Sequence, residues 1–204
     1  TLDRMAWVHT TGLTLSLRSS PTAMLELVER LPAATTLSFD PNWRAEMWSS
    51  RQEFATMVRG LLPEVDVLKT TAEDIGPAGF DTRDPEALLE AIAALGPDTV
   101  VLTRGAEGAL CYGTPRSPVP GLHEHPGYEV DGVDTTGAGD VFLAGFIAGL
   151  TSGLTDGRAL LAVANAAGAV ATTEPGGNAA LTNLDRIRQL HGEIPWETPT
   201  GGDD

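Results

Sequence analysis

Apolar positions along this chain follow two alternating rhythms. Trp7–Leu13, Thr36–Asp40, Val65–Lys69, Thr99–Thr103 and Ala109–Tyr112 are short runs with the length and composition of strands. Between them the apolar residues fall at helical spacing. Met24, Leu25, Leu27, Val28 and Leu31 follow Pro21, and Phe54, Met57, Val58, Leu61 and Leu62 precede Pro63. Leu88, Leu89, Ile92 and Leu95 run from an Asp84-Pro85-Glu86 opening to a Gly96-Pro97 stop. Further helices are expected from the Gly137–Gly139 turn to about Leu150, over Asp156–Thr172, and near Leu184–Leu190. Pro115–Pro126 reads as a surface connection with room for a short edge strand. Strands alternating with helices build βαβ units, so the expected class is α/β, a three-layer αβα fold with a largely parallel sheet. No internal repeat or low-complexity linker divides the chain. One domain over residues 1–197 is expected, with Thr198–Asp204 a disordered tail.

The most informative stretch is Asp134-Thr135-Thr136-Gly137-Ala138-Gly139-Asp140, which runs directly into an apolar helix. A helix start carries bare N–H groups and the positive end of a dipole, and glycines let a phosphate approach the backbone. Asp140 on the first turn could take a proton from a hydroxyl attacking that phosphate. The pattern suggests phosphoryl transfer, although a glycine turn before a helix with Asp in its first turn is also an ordinary stabilising start. Two other phosphate signatures are excluded. The only lysine is Lys69, so there is no Walker loop, and Phe142 stands where a dinucleotide fingerprint needs its third glycine. Gly145, Ala148 and Gly149 on this helix, and Ala159, Ala162, Ala166 and Ala169 on the next, are expected to let the two backbones pack closely.

Charge and cysteine content narrow the partners. A net charge of −15 argues against nucleic acid or another polyanion held by bulk attraction. A nucleotide would need local positive charge from backbone amides, Mg²⁺, or side chains such as Arg44 and Arg104. A single cysteine, Cys111, excludes an internal disulfide and fits a reducing compartment. No apolar run is long enough to span a bilayer and no export pattern is visible, so the expected address is the cytoplasm.

The Asp134–Asp140 segment, continued by Phe142, Ala144, Gly145 and Phe146, resembles the C-terminal signature of ribokinase-like (PfkB-type) sugar kinases. The resemblance implies that Gly137, Ala138 and Gly139 form an anion hole and that Asp140 is the catalytic base, beside the acceptor substrate. Thr103-Arg104-Gly105-Ala106-Glu107-Gly108 is similar to a family segment lying along ATP. This puts Thr103, Gly105, Gly108 and Gly139 at the cofactor, although a hairpin turn reads the same way. Asn165 matches a position beside the adenine, or is a plain buried amide. Carbonyls of Asp134, Thr136, Ala171, Glu174 and Gly176 fall where the family builds a monovalent-cation site for K⁺. The competing reading is a simple glycine-capped helix end.

Asp40-Pro41-Asn42-Trp43-Arg44 resembles the Asp-x-Asn-x-Arg segment of the fructokinase and 2-keto-3-deoxygluconate kinase branches. Arg44 is then a substrate or phosphate ligand, or else half of an Asp–Arg pair that fixes the loop. Thr71-Ala72-Glu73-Asp74 stands in place of the family's Asn-x-x-Glu, which implies Thr71 at the cofactor and Asp74 near Mg²⁺. His123-Glu124-His125 is a weak zinc signal. The family's N-terminal Gly-Gly sugar motif and small β-sheet lid have no counterpart, so the chain is expected to be a fragment or a shortened member. The implied function is an ATP-dependent sugar kinase acting on a primary hydroxyl of fructose or 2-keto-3-deoxygluconate. The alternative is a non-catalytic nucleotide-binding module. The expected partner is a small sugar, without nucleic acid or membrane, and a homodimer is left open.

Overall fold

Four strands run parallel across the sheet, because each is returned to the same end by helix. They are β1 (Trp7–Thr11), β2 (Thr36–Asp40), β3 (Val67–Thr70) and β4 (Thr99–Thr103). Trp7 lies opposite Thr36, Ser38 opposite Val67, and Val67 opposite Thr99. In this computed structural model residues 4–16, 20–176 and 184–192 are described. The expectations for Gly177 and for the 198–204 tail lie outside them. Helices α1 (Gly12–Leu15) and α2 (Ser20–Glu29) link β1 to β2, and α3 (Arg51–Leu61) links β2 to β3. Helices α4 (Ala72–Ile75) and α5 (Pro85–Ala93) link β3 to β4. Strands β5 (Ala109–Gly113) and β6 (Gly121–His125) complete a sheet in the order β1-β2-β3-β4-β5-β6. Helices α6 (Ala138–Thr151), α7 (Gly157–Thr172) and α8 (Leu184–His191) follow.

Every residue of β3 is buried, as a parallel strand covered on both faces requires. Phe39 and Phe54 are fully enclosed, and burying such a side chain contributes about 1.5–3 kcal/mol. Helix starts are secured by side-chain caps worth about 1 kcal/mol each. Ser50 accepts from the Glu53 N–H, Asp84 from those of Glu86 and Ala87, and Asp156 from that of Ala159. Several boundaries differ from the sequence pattern, among them the end of β1 and the start of β3. β1 stops at Thr11 because its hydroxyl accepts the Thr14 N–H and starts α1. Val65 lies outside β3 because its N–H closes a 3₁₀ turn on the Leu62 carbonyl. The short edge strand within 115–126 is β6, and α4 was not signalled by periodicity at all.

Contacts group the chain into two compact units. The first is Thr1–Thr103 with Cys111–Leu122, and the second is Arg104–Leu110 with His123–Asp204. The second is built on α6 against α7. A Cβ on Gly145 would stand 3.0 Å from the Ala167 Cβ and 3.3 Å from the Ala164 Cα. The surface that α7 turns to α6 is therefore Val163, Ala164, Ala167 and Gly168, one position away from the expected Ala159, Ala162, Ala166, Ala169 row. Val141, Ala166, Ala167, Val170, Ala171 and Ile187 close the core under α8.

Candidate active site

In the second unit, Gly137 takes left-handed backbone (φ 75°, ψ −2°) as the N-cap of α6, a conformation glycine adopts without strain. The Val141 N–H bonds back to the Gly137 carbonyl at 2.9 Å, and the Ala138 N–H to the Thr135 carbonyl at 3.2 Å. The amide of Ala138, the third residue expected in the anion hole, is bonded inside the turn. The N–H groups of Gly137, Gly139 and Asp140 have no hydrogen-bond partner among the described residues, so these are the donors the turn offers. The Asp140 side chain is exposed and has no hydrogen bond or ion pair among the described residues. Nothing described blocks it, and nothing holds it in one rotamer.

Beside this turn, Asp134 ties two loops together. Its Oδ1 accepts the Thr136 N–H at 2.9 Å and its Oδ2 the Gly176 N–H at 3.0 Å. Hydrogen bonds from Thr136 and Gly176 hold the carboxyl at about 2, well below the usual carboxylate range. The Thr172 carbonyl accepts from both Val133 (2.7 Å) and Asp134 (3.1 Å). Asp134, Thr136 and Gly176 therefore meet at the exit of α7, next in chain to Ala171 and Glu174. Arg186 of α8 pins that exit by donating to Thr173 Oγ1 (3.0 Å) and Glu174 Oε1 (2.7 Å).

The third part of this unit joins the Gly105–Gly108 turn to Asn165. Gly108 has φ 80° and ψ −137°, and a Cβ there would lie 2.0 Å from the His125 carbonyl oxygen and 2.4 Å from the Gly127 nitrogen. Only glycine fits where the turn presses on the exit of β6. His125 Nδ1 in turn accepts the Gly127 N–H at 3.1 Å and lies 3.3 Å from Asn165 Nδ2. Its ring packs 5.1 Å from that of Tyr128, whose hydroxyl is 3.0 Å from His191 Nδ1. No group of three or more His, Cys, Asp and Glu among the described residues could hold a metal ion, so the two imidazoles of His123-Glu124-His125 gain no further ligand there. His123 instead lies over the start of α7, so close that a Cβ on Gly157 would meet its ring at 2.3 Å. Arg104 is engaged by Glu124 at 2.7 Å.

In the first unit, the carboxyl ends of β2 and β3 carry a buried ion pair that the sequence did not reveal. Lys69 Nζ lies 2.8 Å from Asp40 Oδ2, with the two side chains 5% and 3% exposed. Burial pushes the Asp40 carboxyl up, while the Lys69 ammonium and the Asn42 N–H hold it down. Asp40 Oδ1 accepts that Asn42 N–H at 3.1 Å and shapes the loop, in which Asn42 has φ 40°. The arginine of this loop pairs elsewhere: Arg44 Nη1 is 3.8 Å from Asp74 Oδ1 and donates to the Trp43 carbonyl at 2.8 Å. Its side chain is 53% exposed, which leaves donors free for a ligand. Asp74 also accepts the Trp43 N–H at 3.0 Å and the Thr71 hydroxyl at 3.0 Å. Both of its oxygens are occupied, one beside a guanidinium, which does not fit an inner-sphere Mg²⁺ ligand. Thr103 Oγ1 donates to the Thr70 carbonyl at 3.3 Å, which places it at the same strand ends.

Residues 2–184 match the family model described as pfkB family carbohydrate kinase. The fructokinase of Vibrio alginolyticus is 30% identical over 193 residues, 92% of this chain and 61% of that protein. Two solved structures are similar over the fold. The aminoimidazole riboside kinase from Salmonella enterica, complexed with aminoimidazole riboside and an ATP analog, has a TM-score of 0.78 at 27% identity, covering 92% of this chain and 63% of that one. Fructokinase from Vibrio cholerae, bound to fructose, ADP and calcium ion, has a TM-score of 0.77 at 30% identity, covering 94% and 64%. The chain spans less than two thirds of the length of these proteins. Among the described residues no helix is long and apolar enough to cross a membrane.

Proposed function

This chain belongs to the pfkB family of carbohydrate kinases, and from that premise we propose that it transfers the γ-phosphoryl group of ATP to a primary hydroxyl of a sugar or sugar acid. Fructose and 2-keto-3-deoxygluconate are the leading acceptors. The observation that carries the reading is the α6 start, where the Gly137, Gly139 and Asp140 N–H groups stay unspent beside an unpaired carboxylate. Phosphoryl transfer needs little more from a protein than donors for the spreading charge and a base for the nucleophile. Asp140 accepts the proton of the attacking hydroxyl while the three N–H groups donate to oxygens of the transferring group. The α6 dipole adds positive potential at the same point.

Thr103, Gly105, Gly108 and Asn165 bind the nucleotide, and the half-exposed Arg44 meets an anionic group of the substrate or of ATP. Mg²⁺ would supply charge neutralisation at the phosphates, and Asp74, its oxygens already engaged, would act on it from outside its ligand set. Asp134, Thr136, Ala171, Glu174 and Gly176 suit a monovalent cation such as K⁺, whose charge would strengthen the donors at the turn. The Asp134 carboxylate there is held ionised by two backbone N–H groups. The partners are small molecules, the acceptor sugar and the nucleotide, and the site of action is the cytoplasm.

The exposure of Asp140, with no residue orienting it, favours one second reading: a nucleotide-binding module that does not turn over. A coupled ADP-release assay over a panel of ketoses, furanosides and sugar acids separates the two. Acceptor-dependent ADP release that drops about 10²–10⁴-fold in Asp140→Asn supports the kinase. Nucleotide binding with no phosphorylated product supports the module, and unchanged turnover in Asp140→Asn removes the assigned base.

A further inference from the structure

Two positive charges stand together in the first unit without a carboxylate. Arg51 and Arg59, both on α3, line one cavity of about 330 Å³ together with Gln52, Thr56 and the Pro77–Gly79 segment. Neither arginine has an ion-pair partner among the described residues, and Arg51 has no hydrogen bond there either. The acids adjacent in the chain are engaged elsewhere. Glu53 accepts the Ser49 N–H at 2.9 Å, and Asp81 accepts from Arg83 Nε at 2.9 Å. In a chain of net charge −15, two guanidinium groups left on one hollow are available to an anion from outside.

Arg59 is held in the form that binds such an anion. Its Nε donates to the Ala78 carbonyl at 2.9 Å and its Nη2 to the Gly79 carbonyl at 3.1 Å. The guanidinium lies 4.3 Å from the centroid of the Phe80 ring. Ala78 is 1% exposed, and Gly79 takes a left-handed backbone (φ 83°) that glycine adopts without strain. These contacts fix the plane of the group and use its Nε–Nη2 edge. The Nη1–Nη2 edge keeps its parallel pair of N–H donors, the fork that meets a phosphate or carboxylate in bidentate fashion. Much of the rotamer freedom that a loose arginine would lose on binding is already lost in the fold.

We propose that this α3 cavity binds a small phosphomonoester of sugar-phosphate size, at a site separate from the α6 start. Two guanidinium charges match a dianion better than a single carboxylate. The phosphate sits on the free fork of Arg59 with Arg51 as the second cation, and ligand hydroxyls meet Gln52 and Thr56. At about 330 Å³ the cavity is at the small end of ligand sites, which run from about 300 to 1,000 Å³, so a sugar phosphate suits it better than a nucleotide. None of the lining residues belongs to the positions assigned to ATP or to the acceptor, so the inference stands without the kinase reading.

The test is ¹⁵N-edited NMR of the intact chain titrated with glucose 6-phosphate at fixed ionic strength, with inorganic phosphate as the reference probe. Saturating shifts are expected at residues 51–59 and 77–80, with inorganic phosphate several-fold weaker at the same residues. Arg59→Gln should weaken glucose 6-phosphate about tenfold or more, and Arg51→Gln several-fold. Should the loss of the carbonyl contacts unfold Arg59→Gln, Arg51→Gln still carries the test, because Arg51 makes no described hydrogen bond. Unchanged affinity in either folded variant would overturn the proposal. Shifts confined to residues 137–140 would overturn it too, since the probe would then enter the α6 site alone. Shifts at 51–59 and 77–80 that never saturate would do the same. Inorganic phosphate that binds as tightly as glucose 6-phosphate would overturn the sugar-phosphate assignment.

Discussion

Replacing Lys69 by Met should be among the most damaging single changes in the first unit, although Lys69 belongs to no expected site. Its ammonium and the Asp40 carboxylate are 2.8 Å apart and at most 5% exposed, so neither charge has water to fall back on. An exposed pair of this geometry would contribute about 0–1 kcal/mol, whereas removing one partner of a buried pair costs about 3–5 kcal/mol. Burial decides for the larger figure. Urea unfolding followed by tryptophan fluorescence reports mainly on this unit, because Trp7, Trp43 and Trp48, three of the four tryptophans, lie in it. The double variant Lys69→Met/Asp40→Asn keeps an acceptor for the Asn42 N–H and should recover most of the loss. The pH dependence supplies a second check. In Lys69→Met the lone buried Asp40 has its folded pKa raised above the unfolded value of about 3.9. Its protonated form then contributes stability that is complete below that value and lost as pH rises through the folded pKa. The deficit of Lys69→Met should therefore shrink on acidification, and the double variant should show no such recovery. A loss below about 1 kcal/mol at pH 7 would refute the reasoning, since desolvation would then not govern the pair.

Other changes probe the second unit. Gly145→Val forces α6 away from Ala167 and Ala164, and overpacking of this kind should cost about 1–3 kcal/mol in thermal or urea unfolding. Gly108→Ala meets the His125 carbonyl in a backbone region almost closed to other residues, so it should lose about 1–3 kcal/mol and weaken ADP in calorimetry. Unchanged affinity would detach the turn from the nucleotide. His125, through burial and then the nearby Arg158 and His191, and His191, through burial, both titrate below the usual histidine value. A histidine held neutral in the fold contributes stability that is complete above about pH 6.5 and lost as pH falls through the folded pKa. The melting temperature should therefore drop between pH 7 and 5, less steeply in His125→Phe, and a flat profile would exclude this.

What was legible in the sequence was local. Thr36–Asp40 and Thr99–Thr103 were placed to the residue, because Pro41 and the Arg104-Gly105 turn end the apolar runs sharply. The start of α6 and its glycine cap follow from three consecutive small residues before an apolar helix. The rest depended on which residues meet across the fold. Lys69 and Asp40 are 29 positions apart, and only the register of β2 against β3 makes them partners. Asn165 and His125 are 40 apart, so a His-x-His pair read as a faint metal signal turned out to hold an amide. Asp74 was expected near a metal, and the Trp43 and Thr71 bonds that occupy it belong to loop geometry no spacing rule describes. Helix α4 has four residues and exists because the Thr71 hydroxyl caps it.

In the proposed mechanism the α6 start holds a phosphoryl group while Asp140 removes the acceptor proton. The most direct measurement is ³¹P NMR of the chain with MgATP and each acceptor, beside ADP titrations, for wild type and Asp140→Asn. A phosphosugar resonance is expected with the wild type alone, and similar ADP affinity for both proteins. A phosphosugar formed at undiminished rate by Asp140→Asn, or no ADP bound by the wild type, would contradict it.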